Sequence, residues 1–136
     1  MLRIERFVDV YVGEGGHMSN KHEIDLVCKE FVDACIMRIC VGTNTPQGGD
    51  MGSGGRTVIE IDITGGCATS ISLLDVKEKK MSEFNSFSFE PIGKIRIILY
   101  GDAEARNIIK AFNFASKILK LQYELNSRIK RKIEVD

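Results

Sequence analysis

The chain has 136 residues, enough for one domain with a single core and too few for two. Hydrophobic residues make up 43% of it, which excludes intrinsic disorder over most of its length. Nineteen Lys and Arg balance nineteen Asp and Glu, so we expect neither a nucleic acid polymer nor a membrane as partner. No apolar run approaches the roughly 20 residues of a membrane-spanning helix, and the first residues do not resemble a signal peptide. These features predict a soluble, cytoplasmic protein.

The cysteines and histidines limit the possible chemistry. Four cysteines lie in apolar stretches with no C-x-x-C pair, at positions Cys28, Cys35, Cys40 and Cys67. We expect reduced core thiols, with a disulfide or a redox role as the alternative, and the spacings match no zinc-ligand pattern. His17 and His22, the only histidines, lie in a predicted loop. Since no hydrolase, metalloprotease or Walker A motif is present, we predict binding without turnover, with no catalytic residue, no metal and no cofactor.

The N-terminal segment, residues 2–41, combines a strand with a less regular stretch. Residues 2–12 are rich in β-branched and aromatic side chains, which predicts a strand. From His22 onward apolar residues recur at intervals of three and four, which favours a helix that gives way near Ala34 to a strand ending at Val41. A single strand over that whole stretch is the alternative.

A glycine-rich loop and a series of strands follow. Residues 42–56 contain six glycines and no apolar run, which is typical of a loop. The next stretch, residues 57–100, alternates apolar and polar positions, and its short connections predict an antiparallel meander. The predicted strands are Thr57–Thr64, Cys67–Val76, Glu83–Glu90 and Lys94–Tyr100.

Residues 102–132 predict one long helix that begins at an Asp102 N-cap, because neither Gly nor Pro interrupts them. Such a helix spans roughly 45 Å, whereas a compact domain of this size has a radius of gyration of about 14 Å. We therefore expect the helix to extend beyond its own sheet and to pack in a homo-oligomer, a dimer or higher. A break near Lys120 is the alternative. The predicted class is thus α+β, one domain with an antiparallel sheet and a long C-terminal helix.

The glycine-rich loop is the first candidate ligand site. Glycines allow backbone amides to converge on an anion, and Arg56 closes the loop with a guanidinium suited to phosphate. The alternative is a loop without a ligand. The other candidate ligand-binding residues here are small donors or glycines: Asn44, Thr45, Gly54, Gly55 and Thr57.

Two further groups are candidates for ligand contacts. Arg106, Asn107 and Lys110 lie in the first turns of the predicted helix, with the two cations four residues apart on one face. An ordinary solvated face is the alternative. Phe84 lies near a charged turn, where its ring could stack on a base.

The run GTNTPQGGDMGSGGRT, followed by strands and a C-terminal helix that opens with GDAEARN, resembles a family of phage anti-Thoeris proteins. These proteins are sponges for nucleotide signals made by bacterial TIR-domain defence enzymes, and the resemblance covers roughly residues 38–126. It implies tight binding of cyclic ADP-ribose isomers without cleavage, at pockets between subunits of a homo-oligomer. Some members also hold cyclic oligonucleotides. By this resemblance, Arg56 would contact phosphate while Arg106 and Lys110 face the ligand from the helix.

Two other functions are compatible with the sequence. One is a phage structural or protein-binding module that uses the long helix as its partner surface. The other is a small nucleotide hydrolase with Asp50 or Glu60 as the base.

Overall fold

The chain folds into a five-stranded antiparallel sheet, a two-stranded ribbon and a long C-terminal helix. A computed structural model describes residues 2–12, 18–65, 68–75, 80–88 and 93–135. The sheet has the order β1-β2-β3-β4-β7, and β5 pairs with β6 in the ribbon. The predicted α+β class is confirmed. The elements are β1 (Leu2–Val12), β2 (Met18–Asp33), β3 (Cys35–Thr43), β4 (Arg56–Gly65), β5 (Thr69–Asp75), β6 (Lys80–Ser88), β7 (Gly93–Tyr100) and α1 (Asp102–Val135), with a 3₁₀ turn at Met51–Ser53.

The helix predicted from His22 is wrong, because this stretch lies in strand β2. Strand β2 pairs with β1 on one side and with β3 on the other, so strand neighbours satisfy its backbone on both edges. Ile24, Leu26 and Cys28 are all buried at a period of two, the alternation of a strand. Ala34 then turns the chain with a positive φ of 47°, so the single-strand alternative is wrong as well.

The meander predicted for the last four strands is also wrong. Strand β4 lies between β3 and β7, with Ile59 opposite Val41 on one side and Ile97 on the other. Both of its edges are therefore occupied, and among the strands that the structure describes β5 pairs with β6. A true meander of consecutive neighbours exists, but it runs from β1 to β4.

The two faces of the five-stranded sheet differ sharply in burial. The inner face carries the buried cluster, and the sheet curls around it until its edge strands approach each other. The Arg96 guanidinium of β7 lies 5.1 Å from the centre of the Phe7 ring on β1. Gly42 permits the curl, because a β-carbon there would collide with the side chains of Ile24 and Leu26. The inner cluster consists of Ile24, Leu26, Cys28, Cys40 and Val58, with Phe7 and Ile98 packed against it.

Strand register also decides the state of the cysteines. Cys28 and Cys40 lie opposite each other on β2 and β3 and are joined by a disulfide, with their Cα atoms 4.0 Å apart. Cys35 is disulfide-bonded as well. The prediction of reduced thiols is therefore wrong for these three, and Cys67 lies outside the described residues.

Helix α1 is continuous over 34 residues, or about 51 Å at 1.5 Å per residue. It passes Lys120 without interruption, so the alternative of a break there is wrong. Its first turns rest on the sheet, where Ala105 is buried and Ile108 is half-buried, whereas most later residues are exposed. Among the described residues, no helix combines the length and the apolar character required to cross a membrane.

Gly101, between β7 and α1, is a residue that we expect to tolerate a side chain poorly. It adopts a φ of +110°, and a β-carbon there would lie 3.2 Å from the backbone carbon of Asp50. Gly93 has a similar φ of +103° with nothing within 4 Å of that position. Conformational strain at such a φ costs about 1–3 kcal/mol. We expect Gly93→Ala to lower the free energy of unfolding by about that amount, and Gly101→Ala to lower it more.

Urea unfolding of the two alanine variants and the natural protein measures this difference. The excess loss in the Gly101 variant reports how tightly the loop packs on the start of α1. Equal losses would show that the loop does not press against Gly101.

Candidate functional site

The carboxylate of Asp102 fastens the glycine-rich loop to the first turn of α1. It accepts backbone N–H bonds from Gln47 at 2.9 Å, from Gly48 at 2.8 Å and from Gly49 at 3.1 Å. The Gln47 amide is the main cause that lowers the pKa of Asp102 below its ordinary value; Gly48, Gly49 and the charge of Arg106 add to it, and partial desolvation opposes it. The loop was predicted to offer its amides to a phosphate. Instead, three of them bind a carboxylate of the same chain.

Backbone hydrogen bonds from the start of α1 to carbonyls of the loop complete this attachment. The Asp102 amide donates to the Gly49 carbonyl at 2.9 Å, and the Gly101 amide donates to the Gly55 carbonyl at 3.0 Å. Gly55 is required by close approach, because a β-carbon there would lie 3.2 Å from a carboxylate oxygen of Asp102. Asp102 was expected to act as an N-cap within its own helix. Its side chain instead joins two segments that are about fifty residues apart.

Arg56 lies at the buried base of the loop rather than at its surface. Only 4% of the residue is exposed. Its Nη1 donates to the Met51 carbonyl at 3.0 Å and to the Gly55 carbonyl at 2.9 Å, and its guanidinium lies 4.5 Å from the centre of the Tyr100 ring. These contacts brace the loop, so the structure gives Arg56 a supporting position.

Polar side chains cluster where β3 and β4 meet the loop. The Thr43 hydroxyl lies 2.8 Å from that of Thr45 and 2.9 Å from that of Thr57. The Asn44 side chain accepts from the Arg56 amide at 2.7 Å and donates to the Gly54 carbonyl at 3.1 Å. Among the predicted residues, Asn44 and Gly54 therefore fix the loop, while Thr45 and Thr57 form a hydroxyl cluster.

An open cleft of about 300 Å³ begins at this hydroxyl cluster and runs between the sheet and α1. The sheet contributes one wall and the helix the other, and the lining is mostly apolar. This shape suits a flat ring bordered by a few polar groups. The cleft is lined by Val41, Gly42, Thr43, Thr57, Ile59, Ile108, Ile109, Phe112 and Asn113.

The helix cations lie beside this cleft. Arg106, Asn107 and Lys110 are all exposed. Residues three and four apart are neighbours on a helix surface, so Arg106 and Lys110 lie next to the cleft residues Ile109 and Asn113. Two cations thus lie next to the helical wall of the cleft, and neither is one of its lining residues.

A second hollow, of about 390 Å³, lies where the loop meets the start of α1, and Arg106 borders it. Its other lining residues are Gly48, Gly49, Asp50, Asp102, Ala103 and Glu104. Arg56 borders neither cavity, so the structure does not bring it together with the helix cations. Phe84 lies on β6, whose side chains fall outside the part of the chain that the structure describes.

Sequence reasoning missed the helical wall of the cleft and the role of Asp102. Ile109 and Phe112 carry only the signal of an amphipathic helix, which indicates that they are apolar but not what they face. A signal for Asp102 did exist, because an aspartate at a helix start is a good acceptor of amide hydrogens. Nothing in the sequence shows that those amides come from a distant loop.

The two acidic residues considered as bases, and one group of possible metal ligands, have contacts of their own. Glu60 is 2% exposed and pairs with Arg96 at 2.6 Å and with Lys94 at 3.7 Å, while Asp50 caps the 3₁₀ turn through the Gly52 amide at 3.0 Å. A group of possible metal ligands, Glu5 with Cys28 and Cys40, has its ligand atoms within 4.8 Å of one another. The two sulfurs are bonded to each other, so neither is available as a thiolate.

Comparisons with known proteins add nothing to this description. No protein-family model matches the chain, and neither the curated proteins nor the solved structures contain a match to it.

Acid stability tests the Asp102 attachment. Because the pKa of this carboxylate is lower in the folded protein, its contribution is fully present above the unfolded pKa of about 3.9. That contribution is lost as the pH falls through the folded pKa. We expect Asp102→Asn to lower the melting temperature by several degrees at pH 7, and the difference from the natural protein to shrink below about pH 4.

Thermal unfolding of both proteins between pH 7 and pH 2.5 checks this expectation, with Asp33→Asn at an exposed position as the control. A deficit in the Asp102 variant that stays constant over the whole pH range would contradict the role of its charge.

Proposed function

We propose that this protein is a non-catalytic phage anti-defence protein that binds and sequesters a cyclic ADP-ribose-type signalling nucleotide. It would act in the host cytoplasm and block TIR-based Thoeris defence, working as a homo-oligomer, with cyclic oligonucleotides as possible additional ligands. The proposal rests on the resemblance of the glycine-rich run and of GDAEARN to the anti-Thoeris sponges. The observation that supports it best is the cleft between the sheet and α1.

The cleft has the parts that a nucleotide requires. Its apolar walls, with Ile59 on the sheet and Phe112 on the helix, suit the faces of a purine. The hydroxyls of Thr43 and Thr57 supply donors and acceptors at one end. Arg106 and Lys110 border the helical wall and would neutralise phosphates.

Sequestration without cleavage agrees with how the acidic groups are engaged. A general base must lie within hydrogen-bond reach of the proton that it abstracts. Glu60 is buried on the inner face and paired with two cations, away from the cleft on the outer side. Asp50 accepts a backbone amide within its own turn. Neither carboxylate lines the cleft in which we propose that the nucleotide binds, and Asp50 borders the second hollow instead.

The proposed cytoplasmic location bears on the disulfides, because the cytosol keeps thiols reduced. Reduced Cys28 and Cys40 would remain packed on the inner face, since a free cysteine behaves as a small hydrophobe. The strand pairing that places them opposite each other extends over seven residue pairs, of which Cys28 with Cys40 is one.

Nucleotide binding is tested with a thermal-shift panel of cyclic ADP-ribose isomers and cyclic di- and trinucleotides. A ligand at about 100 times its Kd adds about 2.7 kcal/mol, or several degrees for a domain of this size. We expect one class to stabilise the protein and to be recovered unchanged after heat denaturation. An altered ligand would instead indicate the hydrolase, and no shift with any nucleotide would favour the protein-binding module.

Variants on α1 locate the site without disturbing the fold. We expect Arg106→Ala and Lys110→Ala each to weaken binding by roughly tenfold or more, because a charge-assisted hydrogen bond contributes about 1.5–3 kcal/mol. Lys117→Ala, an exposed cation two turns further along the same helix, serves as the control. Arg56 is unsuitable for this test, because removing its buried guanidinium would also disturb the loop. Calorimetric titration of the three variants with the nucleotide found in the panel measures these affinities. Equal affinities would show that Arg106 and Lys110 do not contact the ligand.

A further inference from the structure

The chain exposes far more surface than a monomer of its mass should. Its accessible surface is 10491 Å², whereas a compact monomer of this mass exposes about 7,100 Å². A standard protein interface buries about 800 Å² per partner, and obligate interfaces bury more. The excess of about 3,400 Å² is larger than the area that a standard interface would cover.

One face of the sheet carries many exposed apolar residues. The strand register places eight exposed apolar residues on the same, outer side, opposite to the buried inner cluster. Exposed fractions reach 70% at Ile4 and 52% at Phe31. An apolar face of this extent is unusual on a monomer and marks an interaction surface. The exposed apolar residues of this outer face are Leu2, Ile4, Val8, Val27, Phe31, Met37, Val41 and Ile97. They share the face with the exposed ion pairs that Arg6 forms with Glu23 and Asp25.

The distal part of α1 is the second uncovered apolar surface. Phe114, Ile118, Leu121 and Leu125 follow one another at intervals of four, three and four, which places them in one stripe along the helix. Phe114 is 67% exposed and Leu121 is 63% exposed. Ala105, which packs against the sheet, lies on the opposite side of the helix by the same periodicity. This distal stripe therefore points away from the chain's own sheet.

The helix and the rest of the chain carry net charges of opposite sign. The helix, residues 102–135, has eight Lys and Arg against four Asp and Glu, whereas the rest of the neutral chain has the opposite imbalance. A helix from one copy is thus attracted to the body of another.

We propose that the outer face of the sheet is the docking surface for the distal stripe of α1 from a second copy of this chain. Two copies related by a two-fold axis would exchange helices, so that each outer face is covered by its partner. Val41 belongs both to the outer face and to the cleft, so a partner docked there also walls the cleft. This proposal rests on the homo-oligomer of the proposed function and specifies its interface. It is tested without nucleotide, so that the interface and the nucleotide binding can fail separately.

Sedimentation velocity of the full chain without ligand is the first measurement. We expect a dimer or higher oligomer whose affinity weakens with added salt. A monomer at micromolar concentration would overturn the proposal, whatever nucleotide the protein binds.

Matched variants then identify the surfaces. Ile4 and Val32 are exposed to almost the same extent, 70% and 69%, but Val32 lies on the opposite face of the sheet. We expect Ile4→Asp to dissociate the assembly and Val32→Asp to leave it intact. Leu121→Asp on the distal stripe should also dissociate it, whereas Lys120→Gln, at an exposed position whose helix neighbours lie outside the stripe, should leave it assembled. Circular dichroism and melting temperatures confirm that each variant is folded.

Mixing variants separates an exchanged helix from other arrangements. Each monomeric variant, Ile4→Asp and Leu121→Asp, retains one intact surface. Mixed together, the intact helix of the first can dock on the intact sheet of the second, so we expect partial recovery of dimers. If the mixture of the two monomeric variants forms no dimers, the proposal is overturned. If Leu121→Asp dissociates the protein and Ile4→Asp does not, the helices associate with each other and the proposal is also overturned.

Discussion

The carboxylate of Asp102 is the contact on which the functional end of this molecule depends. A loop of six glycines has a high conformational entropy when it is free, and few apolar side chains to offset it. Three hydrogen bonds from backbone N–H groups to the Asp102 carboxylate stabilise the ordered loop, together with the hydrogen bond from the Arg56 guanidinium. The cleft follows from the same contact, because the position of the first helical turn fixes where the wall formed by Ile108 and Phe112 stands against the sheet.

The sequence predicted an element correctly where its residues fit a single periodicity. The prediction was wrong where the residues fit both the helical and the strand periodicity. Strand β4 and helix α1 each follow a single pattern, and both were found close to their expected bounds. Residues 22–33 fit both a helical and a strand pattern, and strand pairing on two edges decided between them. The pairing of β4 with β7 and the Cys28–Cys40 contact arise from register, a long-range property that spacing along the chain does not encode.

The candidate site shows the same division. The composition of the loop correctly marked a place where amides converge, but the acceptor of those amides came from a residue about fifty positions away. Arg56 was chosen for its chemistry, and its burial depends on the packing of Tyr100 and of the loop carbonyls around it. Residue type therefore indicates what a group can bind, while the fold decides whether that group is free to bind a ligand.

The length of α1 has a mechanical consequence. The helix is a rod of about 51 Å, and the contacts with the body described above come from its first turns and from the loop bonded to Asp102. A tilt of about 10° at that attachment displaces the far end by about 9 Å, because displacement grows with distance along the rod. Small adjustments at the loop are thus amplified into large movements at the opposite end, and the molecule has the geometry of a lever with its fulcrum at Asp102.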